Sequence, residues 1–319
     1  MRVLLTAVLA AASLGAAADE HATRPPERKA LVQRAEAALS RADADAALSD
    51  FERAANQEHA LDIELGIVRS RMQQGEYRRA LAFAAHAAGG HADEPEGAAF
   101  YAALLRVGGQ PEQARRVLRE AALPEDAGIE RFAPAASGDV PPAGTRLLAS
   151  GLLLDARRAL VPSAALGDRE TVWLRDGLGH SARADRERRA GPIALLHLQQ
   201  RLGDASPTLA PRDAFPGSPA HALAYAGDAA PSWPTLHGGF LGMAQLGIEM
   251  PGASRGGPVF DAQGRVIGLS VRGDDGRDWL LPASLLRQFF VEPATIAPRM
   301  PLDELYEQAL RVTLQVLGS

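Results

Sequence analysis

The stretch PGASRGGPVFDAQGRVIGL, residues 251–269, contains two short apolar runs joined by a turn. Val259 and Phe260 form the first run, Val266 to Leu269 form the second, and Asp-Ala-Gln-Gly lies between them. Apolar runs separated by turn residues in this way are typical of a β-hairpin. Similar runs recur across the second half of the chain: Arg146–Leu154, Ala159–Val161, Thr171–Leu174, Ile193–Leu198, His221–Tyr225, Val266–Val271 and Trp279–Leu281. The pattern predicts many short strands, as in an all-β barrel or sandwich.

This part of the chain resembles the chymotrypsin-fold serine proteases, most closely the HtrA/Deg type of the bacterial periplasm. The most specific likeness is the nucleophile loop, Pro251–Phe260, followed by a Val-Ile-Gly strand. The resemblance covers residues 146–290 and implies a trypsin-like double β-barrel. Three other segments resemble identifiable parts of the family: Ala149–Asp155 is similar to its opening strand, Ala159–Leu166 to the segment of its catalytic histidine, and Ile193–Leu198 to the strand after its catalytic aspartate. The remaining segments that carry the resemblance are Thr171–Gly177, Asp261–Leu269 and Trp279–Phe290.

The catalytic positions of such a protease are replaced in this chain. The family needs a serine nucleophile, a histidine base and an aspartate that orients the histidine. Carried over residue by residue, the resemblance puts the histidine position on Ala165 and the aspartate position on Pro192. The serine position is Ser254 or Arg255, depending on the direction of counting, because the loop is one residue longer than the family pattern. The resemblance therefore implies a protease homologue with a degenerate triad.

An active hydrolase with a rebuilt site around Ser254 is the alternative, since a serine still needs an activating base. The histidines of the same region are His180, His197, His221 and His237. The best candidate base is His237, with Asp228 and Glu249 as acids that would orient it. Surface or packing roles are the commoner use of such histidines.

The first half of the chain has a different pattern. Residues 28–123 are rich in Ala, Leu, Glu, Gln and Arg, which favour helices, and their apolar residues recur at three and four positions. Ala47, Ala80 and Ala114 lie 33 and 34 residues apart. A small residue precedes each by five positions, and these residues are Ala42, Gly75 and Gly109. This period resembles the tetratricopeptide repeat, whose arrays offer a concave surface to a peptide or protein partner.

The expected fold class is therefore multi-domain α + β: tetratricopeptide-like α-helical repeats followed by an all-β, trypsin-like double β-barrel. We expect residues 19–123 to form the repeat domain and residues 146–290 the protease-like domain. Residues 124–145 are rich in proline and glycine, which is typical of a linker. Residues 291–319 form a tail, in which apolar residues at helical spacing predict an amphipathic helix over Leu302–Leu317.

Residues 1–18 have the pattern of an export signal. Arg2 precedes the apolar run Val3–Leu14, and residues 16–18 supply the small side chains that a signal peptidase requires. No later run approaches the length of about 18 apolar residues that spans a bilayer. We therefore expect a bacterial periplasmic or secreted protein with no stable membrane insertion after signal cleavage.

Composition narrows the possible functions. The 319-residue chain has a formal net charge of −5 and no cysteine. These values argue against a nucleic-acid partner and exclude disulfides, thiolate catalysis and cysteine-ligated metals. His86 and His91 lack the spacing of a metal-binding helix, and we expect no cofactor or metal. The arginine-rich tract Arg183–Arg189 is interpreted as a solvated strand and turn, with a contact site for an acidic partner as the alternative.

Together these observations predict an exported, catalytically inactive protease homologue. It would bind or scaffold a protein or peptide partner through its repeats, its degenerate cleft, or both. The rival predictions are an active hydrolase at Ser254, and a protein whose repeat half alone carries the function while the barrel caps it.

Overall fold

The computed structural model describes residues 24–127, 133–243, 245–251, 256–273, 275–290 and 298–319. The expected export signal, residues 1–18, lies outside the described residues. Six helices form the first half of the chain: α1 Arg24–Ser40, α2 Ala44–Ala55, α3 Leu61–Gln73, α4 Tyr77–Gly90, α5 Pro95–Val107 and α6 Pro111–Glu120. Each helix packs on the next, and α3 also contacts α1 and α5, so the helices form an open stack of three hairpins.

The three hairpins turn at equivalent positions. Ala42, Gly75 and Gly109 have positive φ angles of 60°, 73° and 80°. In each case the following backbone N–H donates to the carbonyl oxygen five residues earlier, at 3.0, 2.9 and 2.8 Å. This is the hydrogen bond of a Schellman helix end, which requires a residue in the left-handed region. The small residues that precede the repeated alanines therefore lie just beyond the ends of α1, α3 and α5, in the turns to the next helix. Ala47, Ala80 and Ala114 lie fully buried in the helices that follow these turns.

The second half begins with an antiparallel barrel. Its first elements are β1 Ser137–Gly138, β2 Arg146–Asp155, β3 Arg158–Pro162, α7 Ser163–Leu166, β4 Thr171–Arg175, β5 His180–Ala190 and β6 Ile193–Leu198. The sheet runs β3 beside β2 and β6, β6 beside β5, and β5 beside β4. The strand β1 lies within the predicted linker and pairs in parallel with the start of β5.

The second sheet contains five antiparallel strands. They are β7 Pro219–Ala224, β8 Thr235–Phe240, β9 Gly257–Phe260, β10 Val266–Arg272 and β11 Asp278–Pro282, in the spatial order β11-β10-β9-β7-β8. The chain beyond β8 returns to the far edge, where the backbone N–H of Leu246 donates to the Asp278 carbonyl at 2.7 Å. A short helix α8, Ala283–Leu286, and a 3₁₀ turn, Arg287–Phe289, follow β11.

The last segment differs from the prediction. The helix predicted over Leu302–Leu317 ends early: α9 is Leu302–Leu310, and Thr313–Gly318 is a strand, β12. This strand lies between β2 and β4 and pairs antiparallel with both, which closes a six-stranded barrel. All six residues of β12 are buried. The difference arises because the facing edges of β2 and β4 have backbone N–H and C=O groups that need partners, and a strand between them supplies these partners. This tertiary pairing overrides the local preference for a helix that the apolar spacing indicates.

The helical stack and the barrels share one core. A continuous apolar cluster contains residues of α3, α4 and α5 together with residues of both sheets and α9. Polar contacts reinforce this joint. The guanidinium of Arg311 donates to the carbonyl oxygens of Gln74 and Gly75 at 2.9 and 3.1 Å, and the N–H of Ala135 donates to the Gln73 side chain at 2.8 Å. The structure thus confirms a helical region followed by a β-barrel domain.

Candidate functional site: the corner of the first barrel

Two of the three carried-over catalytic positions meet at one corner of the first barrel. Pairing of β3 with β6 sets Pro162 opposite Ile193, so the chain leaving β3 lies beside the turn that enters β6. The helix α7 starts here. The backbone N–H of Ser163 donates to the Pro192 carbonyl at 2.8 Å, and its hydroxyl donates to the Gly191 carbonyl at 2.9 Å.

Neither side chain at this corner can take part in proton transfer. Ala165 lies on α7, half-buried against the core, and presents only a methyl group. Pro192 is exposed, and its ring has no hydrogen-bond acceptor. A triad needs a base that takes the proton of the serine and an acid that holds the base in orientation. Ala165 and Pro192 therefore offer no side chain that could act as a base or as an orienting acid.

The nucleophile position lies outside the described residues, and this holds for both Ser254 and Arg255. The glycines that follow them are described. A Cβ on Gly256, whose φ is +77°, would lie 2.5 Å from the Ser270 carbonyl oxygen and 3.5 Å from the Pro162 ring. A Cβ on Gly257 would lie 1.9 Å from the Leu223 carbonyl oxygen. Only glycine fits at either position, and the chain that leaves the nucleophile loop lies beside the end of β3.

His180 belongs to a turn and lies in an ion pair. Its Nδ1 lies 3.0 Å from Asp176 Oδ2, and the other carboxylate oxygen accepts the backbone N–H groups of Leu178 and His180. The hydrogen bond to Asp176 raises the pKa of His180 above its ordinary value, although burial opposes the shift. This arrangement orders the turn between β4 and β5. His197 is exposed on β6, as the sequence predicts.

His221 and His237 lie on neighbouring strands but on opposite faces of the second sheet. His221 stands opposite Gly238 and His237 opposite Ala222. Burial lowers the pKa of both imidazoles. His221 Nδ1 and His237 Nε2 are buried without a hydrogen-bond partner among the described residues.

The acids suggested for His237 serve other roles or lie exposed. Asp228 accepts the backbone N–H of Ala230 at 2.8 Å and so caps a turn. Glu249 is exposed. The predicted pairing of His237 with Ser254 falls on the undescribed loop.

The arginine tract Arg183–Arg189 lies within β5, and its last residues border the same corner. Arg189 donates to the Gly167 carbonyl at 2.9 Å, and Arg186 donates to the same oxygen at 3.3 Å while pairing with Glu170. Arg188 lies over the Phe289 ring, 4.9 Å from its centroid, and joins the first barrel to the 3₁₀ turn. Most of this tract is therefore bound to the protein itself, and it is a strand rather than the predicted strand and turn.

The described ranges offer neither a metal-binding cluster nor a membrane-spanning helix. His91 hydrogen-bonds Glu94 at 3.1 Å, and Glu64 lies behind it. Nowhere in those ranges are three or more His, Asp or Glu side chains arranged to hold a metal ion. The helices of the same ranges lack the combined length and apolar character that crossing a bilayer requires.

Comparison with known proteins gives a limited result. No protein-family model matches the chain, and no curated protein does so. Among solved structures, the chain is similar to the MamO protease domain of Magnetospirillum magneticum in its apo form, with 15% sequence identity and a TM-score of 0.36. The similarity covers 48% of this chain and 93% of that domain. A likeness of this size carries no argument about activity, so the function has to be argued from the geometry of this chain.

Proposed function

We propose that the protein is a noncatalytic homologue of trypsin-like proteases that binds a protein or peptide partner in the bacterial periplasm or outside the cell. The observation that carries this proposal is the corner at Ser163 and Pro192. There the backbone N–H of Ser163, two residues before Ala165, donates to the Pro192 carbonyl at 2.8 Å. The positions that the resemblance assigns to the histidine and the aspartate hold a methyl group and a proline ring. Without a base, a serine hydroxyl is a weak nucleophile.

The closely packed backbone around the corner supports a binding role rather than the loss of all function. Gly256 and Gly257 occupy backbone positions that no other residue fits, and their neighbours are carbonyl groups of β7 and β10. The barrels meet closely there, since the backbone N–H of Tyr225 donates to the Ser150 hydroxyl at 2.9 Å across the joint. The chain keeps the glycine positions and the close packing at this corner, although the assigned positions lack a base and an orienting acid. This combination favours a role in binding over a role in catalysis.

The helical stack supports the same proposal. Three hairpins with equivalent turns form an open array, and arrays of this type bind partners on an extended surface. We assign the array to the tetratricopeptide type on its period and its buried alanines. The stack and the barrel domain share one apolar core, so the array is held in a fixed position on the barrel domain.

The catalytic part of the proposal is tested with a fluorophosphonate probe. Purified wild type and Ser254→Ala are incubated with the probe, and labelling is read on a gel. We expect equal background labelling of the two proteins, because no base activates the serine. Labelling that disappears in Ser254→Ala would show an active hydrolase and would overturn the proposal.

The binding part is tested on the full chain, because deleting residues 144–319 would expose the core of α3, α4 and α5. Proteins captured from a periplasmic extract are purified and titrated against wild type and Ser254→Ala by calorimetry. We expect saturable binding that is the same for both. If no captured protein binds saturably, the binding role is wrong. Sequencing the amino terminus of the exported protein tests its location, with Asp19 as the expected first residue.

A further inference from the structure

A groove on the second sheet lies apart from the corner at Ala165 and Pro192. It runs between the segment 210–219, which leads into β7, and the hairpin turn 261–265 between β9 and β10, and its volume is about 490 Å³. The described residues that line it include none from α7, from the β5–β6 turn or from the two glycines. The sequence pattern did not indicate this groove, because its residues come from three separated segments.

An exposed aromatic ring, Phe215, lines the groove, and the exposed side chains of Phe240 and Met243 lie on the strand end and the following loop that pair with the segment leading into β7. Phe215, Phe240 and Met243 are 61%, 66% and 91% exposed. Backbone hydrogen bonds join their segments: Gly217 donates to the Leu241 carbonyl at 2.7 Å, and Leu241 donates to the Ser218 carbonyl at 2.9 Å. Exposed large apolar side chains that lie together mark interaction sites more often than scattered ones do.

The carboxylates in the groove already have partners. Asp213 accepts the backbone N–H of Ser284 at 2.7 Å with one oxygen and its hydroxyl at 2.8 Å with the other. Asp261 pairs with the Arg265 guanidinium through one oxygen, at 2.7 Å, and its second oxygen accepts backbone N–H groups of the turn. Both acids therefore serve the structure of the groove.

Two guanidinium groups in the groove have no such partner. Arg212 lies over the Phe215 ring, 5.4 Å from its centroid, and Arg299 lines the groove from the segment after residue 297. Within the described chain, neither forms an ion pair with a carboxylate, and Arg299 is exposed. The groove thus combines two cationic groups that have no carboxylate partner with the exposed aromatic ring of Phe215.

We propose that this groove binds an extended peptide in which a carboxylate lies close to an aromatic or aliphatic side chain. The proposal rests on the binding role proposed above and gives that role a location and a ligand class. Guanidinium groups bind carboxylates through paired, charge-assisted hydrogen bonds, and aromatic rings add specific apolar contacts. The fixed carboxylates of Asp213 and Asp261 disfavour a polyanion such as a nucleic acid, while they tolerate a peptide with isolated acids.

The test uses an array of 12-residue synthetic peptides that vary independently in carboxylate and aromatic content, incubated with the intact protein. We expect binding to be strongest for peptides that place Asp or Glu within two residues of Phe or Leu. The strongest peptide is then labelled with fluorescein and titrated by fluorescence anisotropy. An array without such a preference, or one dominated by basic peptides, would overturn the proposal.

Variants locate the peptide on the surface. The double variant Arg212→Ala, Arg299→Ala is expected to weaken binding at least about tenfold, since charge-assisted hydrogen bonds are lost. Phe215→Ser is expected to weaken it as well. The matched control is Arg201→Ala, which removes an exposed arginine that pairs with Asp204 and does not line the groove. All these side chains lie at the surface, so we expect the variants to remain folded, and thermal melting of each variant checks this.

The outcomes separate this proposal from the proposed function. If the array peptide binds but the groove variants bind it as well as wild type does, the groove is wrong and the binding role stands. If the peptide is cleaved in a Ser254-dependent reaction, the noncatalytic function is wrong. If a single-stranded oligonucleotide competes for the groove through Arg212 and Arg299, the ligand class is wrong.

Discussion

The ring of Tyr77 meets the ring of Tyr306 nearly edge to face, with centroids 4.4 Å apart and an angle of 62° between the planes. Tyr77 belongs to α4 of the helical stack and Tyr306 to α9. The Tyr77 hydroxyl donates to the Leu104 carbonyl at 3.0 Å, and the Tyr306 hydroxyl donates to the Pro234 carbonyl at 2.9 Å. Burial raises the pKa of both phenols, so both remain donors. This pair joins the two halves of the molecule.

We expect Tyr306→Ala to lower the free energy of unfolding by about 3–5 kcal/mol, because it leaves a cavity in the joint. Tyr306→Phe keeps the ring and loses one hydrogen bond, which costs about 1 kcal/mol. All three tryptophans lie in the second half, so fluorescence reports the barrels while circular dichroism at 222 nm is dominated by the helices. Wild type should show coincident urea transitions by the two probes, and Tyr306→Ala should separate them.

The control for this experiment is Val140→Ala, at a side chain that is 86% exposed. It should leave both transitions unchanged. Coincident transitions in Tyr306→Ala at an unchanged midpoint would show that the ring pair does not couple the halves.

Strand β12 is expected to be essential for the first barrel. Leu314 is fully buried within it, and Leu314→Ala should cost about 2–5 kcal/mol. Leu314→Asp should prevent the barrel from folding, because an unpaired charge would be buried. The measurement is urea unfolding followed by tryptophan fluorescence. Ser319→Ala, at an exposed position just beyond the strand, is the matched control, and an equal effect of both substitutions would contradict the assignment of β12.

The pair His180 and Asp176 predicts a pH-dependent contribution to stability. The raised pKa of His180 means that the folded state binds the proton more tightly than the unfolded chain. The stabilisation is therefore fully present below about pH 6.5, which is the ordinary pKa of histidine in an unfolded chain. It is lost as the pH rises through the raised pKa of the folded state. The difference in unfolding free energy between wild type and His180→Gln should shrink from about pH 5.5 to about pH 8.5.

The control for this pH series is His197→Gln, whose exposed ring makes no hydrogen bond in the described part of the chain. A difference between wild type and His180→Gln that stays constant with pH would show that the ion pair contributes nothing through protonation.

Restoring two catalytic side chains is not expected to restore proteolysis. The double variant Ala165→His, Pro192→Asp would supply a base and an orienting acid at the corner. Ser254 would still be separated from Gly256 by one extra residue, a shift of up to about 3.5 Å along the chain. Gly256 lies close to the Ser270 carbonyl and to Pro162. The residues after the loop therefore have little room to move and to compensate for this shift. Misplacement by about 1 Å already costs about a hundredfold in rate.

The measurement is cleavage of casein and of fluorogenic peptides by the double variant, alone and combined with deletion of Arg255. We expect no cleavage without the deletion, because a displaced loop also loses oxyanion donors, each worth about a hundred- to a thousandfold. Ser254-dependent cleavage by the double variant alone would show that the longer loop is competent.

Much of the barrel could be predicted because apolar runs mark strands that are buried on both faces. The runs Arg146–Leu154 and Ile193–Leu198 lie within or coincide with β2 and β6. The hairpin of β9 and β10 follows from its turn residues. In the helical half, Gly75 and Gly109 could be expected at turns, because glycine adopts the left-handed conformation of a helix end readily. Ala42, which adopts the same conformation, could not be expected there on this ground.

The missed elements have sequences that local reasoning assigns elsewhere. β8 contains Gly238 and Gly239, which weaken any strand pattern. The apolar spacing of α9 continues through Val312 and Val316, so the sequence pattern predicts that the helix extends into β12. Its strand conformation depends on edges contributed by β2 and β4, which are distant in sequence.

At the corner, the segments that contain Ala165 and Pro192 could be expected to lie near each other, because apolar runs mark β3 and β6, the strands next to them. The groove on the second sheet could not be placed. Its arginines and aromatic rings are brought together only by turns and strand pairing.

The position of β12 also sets an order of events during synthesis. β2 and β4 precede residues 313–318 in the chain, so both strands are synthesised, and in the proposed exported protein translocated, before the strand that completes the barrel. Until β12 is present, the first barrel is a half-shell with two unpaired edges and an open apolar interior, and α3, α4 and α5 lack part of the core that they share with it. Chaperones and degrading proteases therefore meet an intermediate that remains incomplete until β12 is added.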